Sequence, residues 1–257
     1  NKIVFRDEPA MQYAYQKSEG TRYGEFYGYI AEGYFQSEEE IKKSPRQMRE
    51  LAPGDIKYKD LNDDGVIDAN DQCYLGKSWF PSWSYGMGFN INYHNFDLAL
   101  FFQGVSDVSI MANGGSIDTG NGDWGASGVG IVPFTGMGLN PSNVITKALD
   151  RWTADNPRAD AWYPRMTANA TTNDNNYVNS THWLKDGSYQ SLKQAKLGYT
   201  LENKKLMDKG IEYLYFYLSG QNLLTFSKFK LWDPELGSNG AKYPLSRMVT
   251  LGMRVSF

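Results

Sequence analysis

Asp60, Asn62, Asp64, Asp68 and Asp71 occupy the first, third, fifth, ninth and twelfth positions of a twelve-residue stretch, with Gly65 at the sixth. This is the spacing of an EF-hand-type calcium loop. A hard divalent cation takes about six to eight oxygens, and alternate residues of a tight loop can aim theirs at one centre. Gly65 would take the sharp turn, and Val66 would add a backbone carbonyl. The candidate ligands are therefore Asp60, Asn62, Asp64, Val66, Asp68 and Asp71, for Ca2+ with Mg2+ as the second choice. Asp71 stands where a bidentate Glu is usual, and its shorter carboxylate reaches less far. The competing reading is a metal-free surface turn of Asp, Asn and Gly.

Other reaction chemistry finds little support. We find no nucleophile elbow, no phosphate loop and no supported pair of catalytic carboxylates. The acidic residues are spaced for one cation, not for two groups flanking a sugar bond. His94 and His182 lie far apart and Cys73 is the single cysteine, so neither a zinc cluster nor an internal disulfide framework is expected. Cys73 reads as a small apolar filler beside the acidic loop. No enzymatic activity is expected.

The elements that would carry the acidic loop are strands. Tyr85, Met87, Phe89, Ile91 and Tyr93 alternate with small or polar residues, His94-Asn95 makes a two-residue turn, and Phe96, Leu98, Leu100 and Phe102 alternate again. Ala195, Leu197, Tyr199 and Leu201 share one face of a strand over 189–201. The run 211–222 is apolar on both faces, so alternation does not orient it. The chain ends on Val249, Leu251, Met253, Val255 and Phe257, with Arg254 on the opposite face. Residues 2–5 read as a strand tail, and 23–35 as a packed loop or short strands. Ser37 and Glu40 form a capping box for a helical turn to about Lys43, before Ser44-Pro45. A helix is expected over 143–152.

With 257 residues the chain could hold one large all-β domain or two smaller ones. Its net charge is -3 and its pI about 5.5, which argues against a nucleic-acid partner. Aromatics reach 15% at a mean hydropathy of -0.55, a combination that suits carbohydrate-binding β-proteins and outer-membrane barrels. No apolar run is long enough for a membrane helix, which leaves barrel strands open. The first five residues lack the features of a signal peptide, and the chain starts in mid-pattern without Met, so we read a fragment.

Connections alternate between short (94–95, 202–210) and long (6–83, 105–188, 225–246), as in outer-membrane barrels with short periplasmic turns and long extracellular loops. Tyr93, Phe96, Tyr199 and Phe257 fall at the ends that would be periplasmic, as an aromatic girdle requires. Arg254 on the lipid face would cost about 2–4 kcal/mol, so it is expected to face the lumen. A soluble β-sandwich would show the same alternation on its core face. The second functional reading is accordingly a secreted, calcium-stabilised, carbohydrate-binding β-protein. There Trp124, Trp152, Trp162, Trp183 and Trp232 could stack on sugars, although loop packing is the simpler role for each.

The residues also carry a family likeness. Gly28-Tyr29, Gly33-Tyr34-Phe35-Gln36, Pro53-Gly54-Asp55-Ile56-Lys57-Tyr58, the acidic loop, Phe96-Asp97-Leu98 and Phe102-Gln103-Gly104 come in a collinear order. They are followed by Arg151-Trp152, Asp155-Asn156-Pro157, Leu197-Gly198-Tyr199, Leu218-Ser219-Gly220-Gln221-Asn222-Leu223 and the terminal aromatic strand. This order resembles the C-terminal part of SusC/RagA-like TonB-dependent transporters, across nearly the whole chain. The resemblance implies an antiparallel transmembrane β-barrel of roughly 22 strands around a plug, in the outer membrane of Bacteroidetes. It implies a nutrient importer for glycans or peptides, working with a SusD-like surface lipoprotein as lid and with TonB. Residues 1–257 would then be closing strands, with 6–83 and 105–188 as extracellular loops and 247–257 as the terminal strand. They would need the remainder of the barrel and plug, because an open sheet cannot satisfy its edges in lipid. The acidic loop becomes a staple for a long extracellular loop near the lid interface. The substrate and its contact residues are unknown at this level.

Overall fold

The computed structural model describes residues 1–113, 146–166, 174–238, 240 and 243–257. The chain divides into two compact units: a strand unit of 81–107, 187–235 and 243–257, and a loop unit of 1–80, 108–186 and 236–242.

The strand unit is a five-stranded antiparallel sheet. In chain order its strands are β5 (Trp83–Tyr93), β6 (Phe96–Ser106), β9 (Tyr189–Leu201), β10 (Tyr213–Ser227) and β11 (Met248–Ser256), hydrogen-bonded in the order β11-β10-β9-β6-β5. Each strand pairs with its sequence neighbours in the sheet, an up-and-down meander, and β5 and β11 form its two edges. The expected two-residue turn joins β5 to β6 with His94 at φ 51°. The expected polar connection 202–210 contains one helical turn, α2 (Lys204–Met207), capped by Asn203 accepting from Lys205 N at 2.9 Å.

The register assigns every side chain to a face. Met87 pairs with Phe102, Phe89 with Leu100 and Ile91 with Leu98. Leu98 continues across Leu197, Leu218 and Leu251, and Phe96 across Tyr199, Phe216 and Met253. One face is thus apolar over all five strands. It is also exposed: Phe89 is 50% accessible, Leu218 49% and Leu251 81%. No element among the described residues covers it. The opposite face carries Asn90, Asp97, Gln194, Lys196, Gln221 and Arg254. The sheet is a piece of barrel wall, not a closed barrel.

β10 extends beyond its expected end at 222 to Ser227, so the following loop begins at 228 rather than 225. Alternation failed there because of bulges. β9 inserts Lys193 between residues that pair with adjacent positions of β6, and β10 shifts between Gln221 and Leu224 with Asn222 at φ 50°.

The loop unit condenses segments that the sequence presents as separate long loops. Among its described residues are three two-stranded ribbons: β1 (Glu25–Gly28) with β4 (Cys73–Ser78), β2 (Ala31–Tyr34) with β3 (Ile56–Tyr58), and β7 (Ser109–Met111) with β8 (Leu184–Asp186). Its core gathers Tyr29, Tyr34, Ile56, Tyr58, Ile67, Trp152, Tyr163 and Trp183. Residues 2–5 form no strand; Lys2 makes a single bridge to Arg22. The helical turn after Ser37 is present as α1 (Glu38–Lys43), with Glu40 N donating to Ser37 Oγ at 3.2 Å. Over 143–152 the described part is a 3-10 turn at Thr146–Leu149, and residues 143–145 lie outside the described residues.

A short ribbon leaves backbone groups unpaired at its edges, and buried amides complete this one. Gln47 Nε2 donates to Ile56 O at 2.9 Å, and Tyr58 N donates to Gln47 Oε1 at 2.7 Å. Ile56 N donates to Asn176 Oδ1 at 2.8 Å. Asn176 Nδ2 in turn donates to Asp55 Oδ1 at 2.7 Å, and Asp55 pairs with Arg165 Nε at 2.7 Å.

Candidate functional site

The acidic stretch folds as a closed loop. Gly65 has φ 82°, so the sharp turn falls where the spacing places it. Asp60 Oδ2 accepts from Gly65 N at 2.8 Å, Asn62 Oδ1 from Asp64 N at 3.1 Å, Asp64 Oδ1 from Val66 N at 2.9 Å and Asp68 Oδ1 from Asn70 N at 2.7 Å. Asp71 is fully buried and ties both ends together, accepting from Leu61 N at 2.7 Å and from Asp68 N at 2.9 Å. Segment 13–16 clamps the loop from outside: Tyr15 OH donates to Asn70 O at 2.8 Å and Gln16 Nε2 to Ala69 O at 3.2 Å.

Among the described residues, no three acidic, His or Cys side chains converge as a ready-made cation cluster. The donor set is nonetheless compatible with one. Asp60 Oδ1 is buried without a hydrogen-bond partner, an arrangement that costs free energy unless something positive meets it. Each carboxylate oxygen has two acceptor sites, so one amide per oxygen leaves capacity for a cation. Arg46 bridges to Gly65 O and Ile67 N, which leaves the Val66 carbonyl outside that pairing. Cys73 is buried nearby in chain order, with its thiol pushed up by burial, as suits an apolar filler.

The polar face of the sheet is the second candidate surface. Tyr215 OH donates to Asp97 Oδ2 at 2.8 Å. Lys196 Nζ sits 4.9 Å from the Tyr215 ring centre and 5.2 Å from that of Tyr217. Both rings lie flat on the wall because the neighbouring strands present glycine: a Cβ at Gly198 would collide with Tyr215, and one at Gly252 with Tyr217. This explains why 211–222 looked apolar on both faces. Three of its four aromatic residues, Tyr213, Tyr215 and Tyr217, are tyrosines in register with the polar side.

The loop that follows β10 folds back onto this face. Glu235 meets Lys193 Nζ at 2.5 Å and 2.6 Å through its two oxygens, and accepts from Ser191 Oγ at 3.1 Å. Both charged side chains are mostly covered, at 16% and 17% exposure. A cavity of about 260 Å³ opens there, lined by Asn222, Thr225, Trp232, Glu235 and Arg247 among others. Of these residues only Trp232 stood out in the sequence. The one available signal was a charged residue interrupting the apolar series at 193.

The tryptophans divide. Trp183 is fully buried and Trp152 nearly so, and Trp162 packs against the same core, so loop packing is their role. Trp232 packs edge-on against Phe229 at 4.5 Å. Trp124 lies outside the described residues. His182 sits in the loop-unit core with Nε2 3.2 Å from Trp162 O, which requires the proton on Nε2. Burial and the nearby Lys185 lower its pKa to about 4.

No family model matches the chain. Curated proteins of Formosa agariphila do. TonB-dependent receptor P26 is 29% identical over 241 residues, or 88% of this chain, and TonB-dependent receptor P3 is 28% identical over 255 residues, or 93%. The chain spans 22% of the length of each. Among solved structures, it superposes on a chain of the RagAB peptide importer in its closed-closed state with a TM-score of 0.62. That match has 22% identity and covers 91% of this chain and 23% of the other. The open-open state gives a TM-score of 0.60 at 23% identity, covering 91% and 22%. The chain resembles a portion of a SusC/RagA-like TonB-dependent transporter. The likeness runs through both units. The relatives are transporters and receptors by name, in line with the absence of catalytic motifs.

Proposed function

We propose that this chain forms part of the wall and outer loops of an outer-membrane nutrient importer energised through TonB. The observation that carries this reading is the sheet itself: an uninterrupted, exposed apolar face over five strands, backed by a polar one. An exposed apolar face of this size is costly in water and suits lipid contact. The polar face, including Asp97, Lys196 and Arg254, then lines the lumen. The β10–β11 loop, held by Glu235 and Lys193, stands in the path of an incoming solute. A peptide substrate is favoured by the RagAB likeness, with a glycan as the alternative. A SusD-like lipoprotein serves as lid, and the remaining strands and plug complete the barrel.

The acidic loop fits this setting as a staple. In our reading Ca2+ is held by Asp60, Asn62, Asp64, the Val66 carbonyl, Asp68 and Asp71, with Mg2+ as a weaker substitute, and it rigidifies the loop unit outside the cell. The unpartnered Asp60 oxygen supports this.

Fractionating the producing cells and following uptake of labelled oligopeptide and oligosaccharide tests the reading. We expect the protein in the outer membrane, and uptake of one solute class that disappears when TonB is inactivated. Recovery of the full-length protein in the soluble periplasm or medium would overturn it.

A further inference from the structure

The cavity beside the Glu235–Lys193 pair has a fixed polar floor and a charged mouth, and all of its lining belongs to the strand unit. Two bulges make the floor. The bulge in β9 sets Lys193 out of the ladder, and the one in β10 leaves Asn222 at φ 50°. Lys193 Nζ donates to Asn222 Oδ1 at 3.4 Å. Asn222 Nδ2 donates to Ser246 O at 3.1 Å, which fixes the backbone just before Arg247 and the start of β11. Thr225 Oγ1 lies 3.0 Å from Ser191 Oγ, and Ser191 gives its one hydrogen to Glu235. Thr225 is therefore the donor of that pair, and its oxygen keeps capacity to accept from a solute N–H or O–H. Trp232 is braced edge-on by the buried Phe229.

Charge decides what such a cavity takes. The Glu235 carboxylate is neutralised by Lys193. Asp233 already accepts from Glu235 N at 3.0 Å. Lys230 and Arg247 are exposed, and neither has an ion-pair partner among the described residues. Two cations against the one remaining carboxylate leave the mouth positive. A guanidinium presents a planar fork that matches a carboxylate through two parallel hydrogen bonds. At about 260 Å³ the cavity is smaller than the ~300–1,000 Å³ of a site for a whole drug-sized ligand, so it suits one unit of a longer solute.

We propose that this cavity is a subsite for a carboxylate-bearing unit of the imported solute. Arg247 and Lys230 hold the carboxylate, Thr225 accepts from an adjacent N–H or O–H, and Trp232 covers the apolar side. A peptide C-terminus and a uronic acid share this chemistry. The proposal rests on reading the polar face of the sheet as the lumen of an importer.

The test is calorimetric titration of the full-length protein in nanodiscs. The probes are N-acetyl-tetra-alanine and its C-terminal amide, and trigalacturonate and its methyl ester. We expect one acid to bind, and its amide or ester to bind at least about tenfold more weakly. The acid that binds identifies the source of the carboxylate. Arg247→Gln should abolish the difference, and Arg247→Lys should restore part of it. Equal binding of acid and neutral forms, no binding of any probe, or a difference that survives Arg247→Gln overturns the subsite. Orthophosphate competing as well as the acid overturns the assignment to carboxylates. The importer reading stands through all of these results if the protein lies in the outer membrane and uptake still depends on TonB. Full-length protein found soluble overturns that reading, and the subsite with it.

Discussion

By strict alternation Lys193 would fall on the same face as Ala195, Leu197 and Tyr199, placing a charge against lipid. The bulge in β9 removes it from that series and delivers it to Glu235. Periodicity reports the face of a residue only while the register is unbroken, so neither the bulge nor its partner was legible. Glu235→Gln should leave Lys193 covered without a counter-charge and weaken loop docking by about 3 kcal/mol. Limited proteolysis checks this: cleavage within 228–247 should accelerate while the sheet stays protected. The sharp turn at Gly65 was legible at residue resolution, because the spacing of Asp, Asn and Gly is local chemistry. The paired substitution Asp64→Ala with Asp68→Ala should remove any effect of Ca2+ on cleavage near 60–71. In the unsubstituted protein a chelator should speed that cleavage, and equal rates with and without chelator would count against a bound cation. What spacing did not reveal is that Asp71 already ties Leu61 and Asp68 together, so part of the closure is built in without metal.

At the scale of elements, β5, β6, β9 and β11 were readable because each sets apolar residues against small or polar ones. β10 was not, since Tyr215 and Tyr217 count as apolar in a pattern yet lie on the polar face over Gly198 and Gly252. The orienting information sits in the glycines of neighbouring strands, which no single-strand pattern contains. Gly198→Ala should force Tyr215 off the wall, break its bond to Asp97 and cost about 1–3 kcal/mol through overpacking. A lower thermal midpoint of the reconstituted barrel would show it, and Gly198→Ala combined with Tyr215→Ala should recover most of the loss. The loop unit was missed for a different reason. Its core is assembled from Tyr34, Trp152 and Trp183, which are far apart in the chain and belong to segments with no periodicity. Its stability carries a pH signature through His182, whose pKa falls from 6.5 to about 4 by burial. The folded state therefore binds fewer protons than the unfolded one between these values. Stability is full above about 6.5 and declines as the pH falls toward 4, by on the order of 3 kcal/mol. Hydrogen exchange of the loop unit should show this decline, and His182→Gln should flatten it.

At the scale of the whole molecule, the architecture follows from a division of labour between two units. One sheet presents lipid-compatible and water-compatible faces with a single register. A second unit, built from the long connections, carries its own buried core and polar network. The barrel class was legible from loop asymmetry and alternation, and the family likeness from collinear motifs. The compactness of the loops was not, because it depends on contacts between distant segments. The central claim is that the two faces of the sheet meet lipid and water. It is tested most directly by cysteine scanning of β11 from Met248 to Ser256 in the full-length protein in bilayers, with Cys73→Ser as background. A water-soluble maleimide should label Thr250, Gly252, Arg254 and Ser256, and a bilayer-dissolved thiol probe should label Val249, Leu251, Met253 and Val255. Equal labelling of both series by the water-soluble reagent would contradict the account.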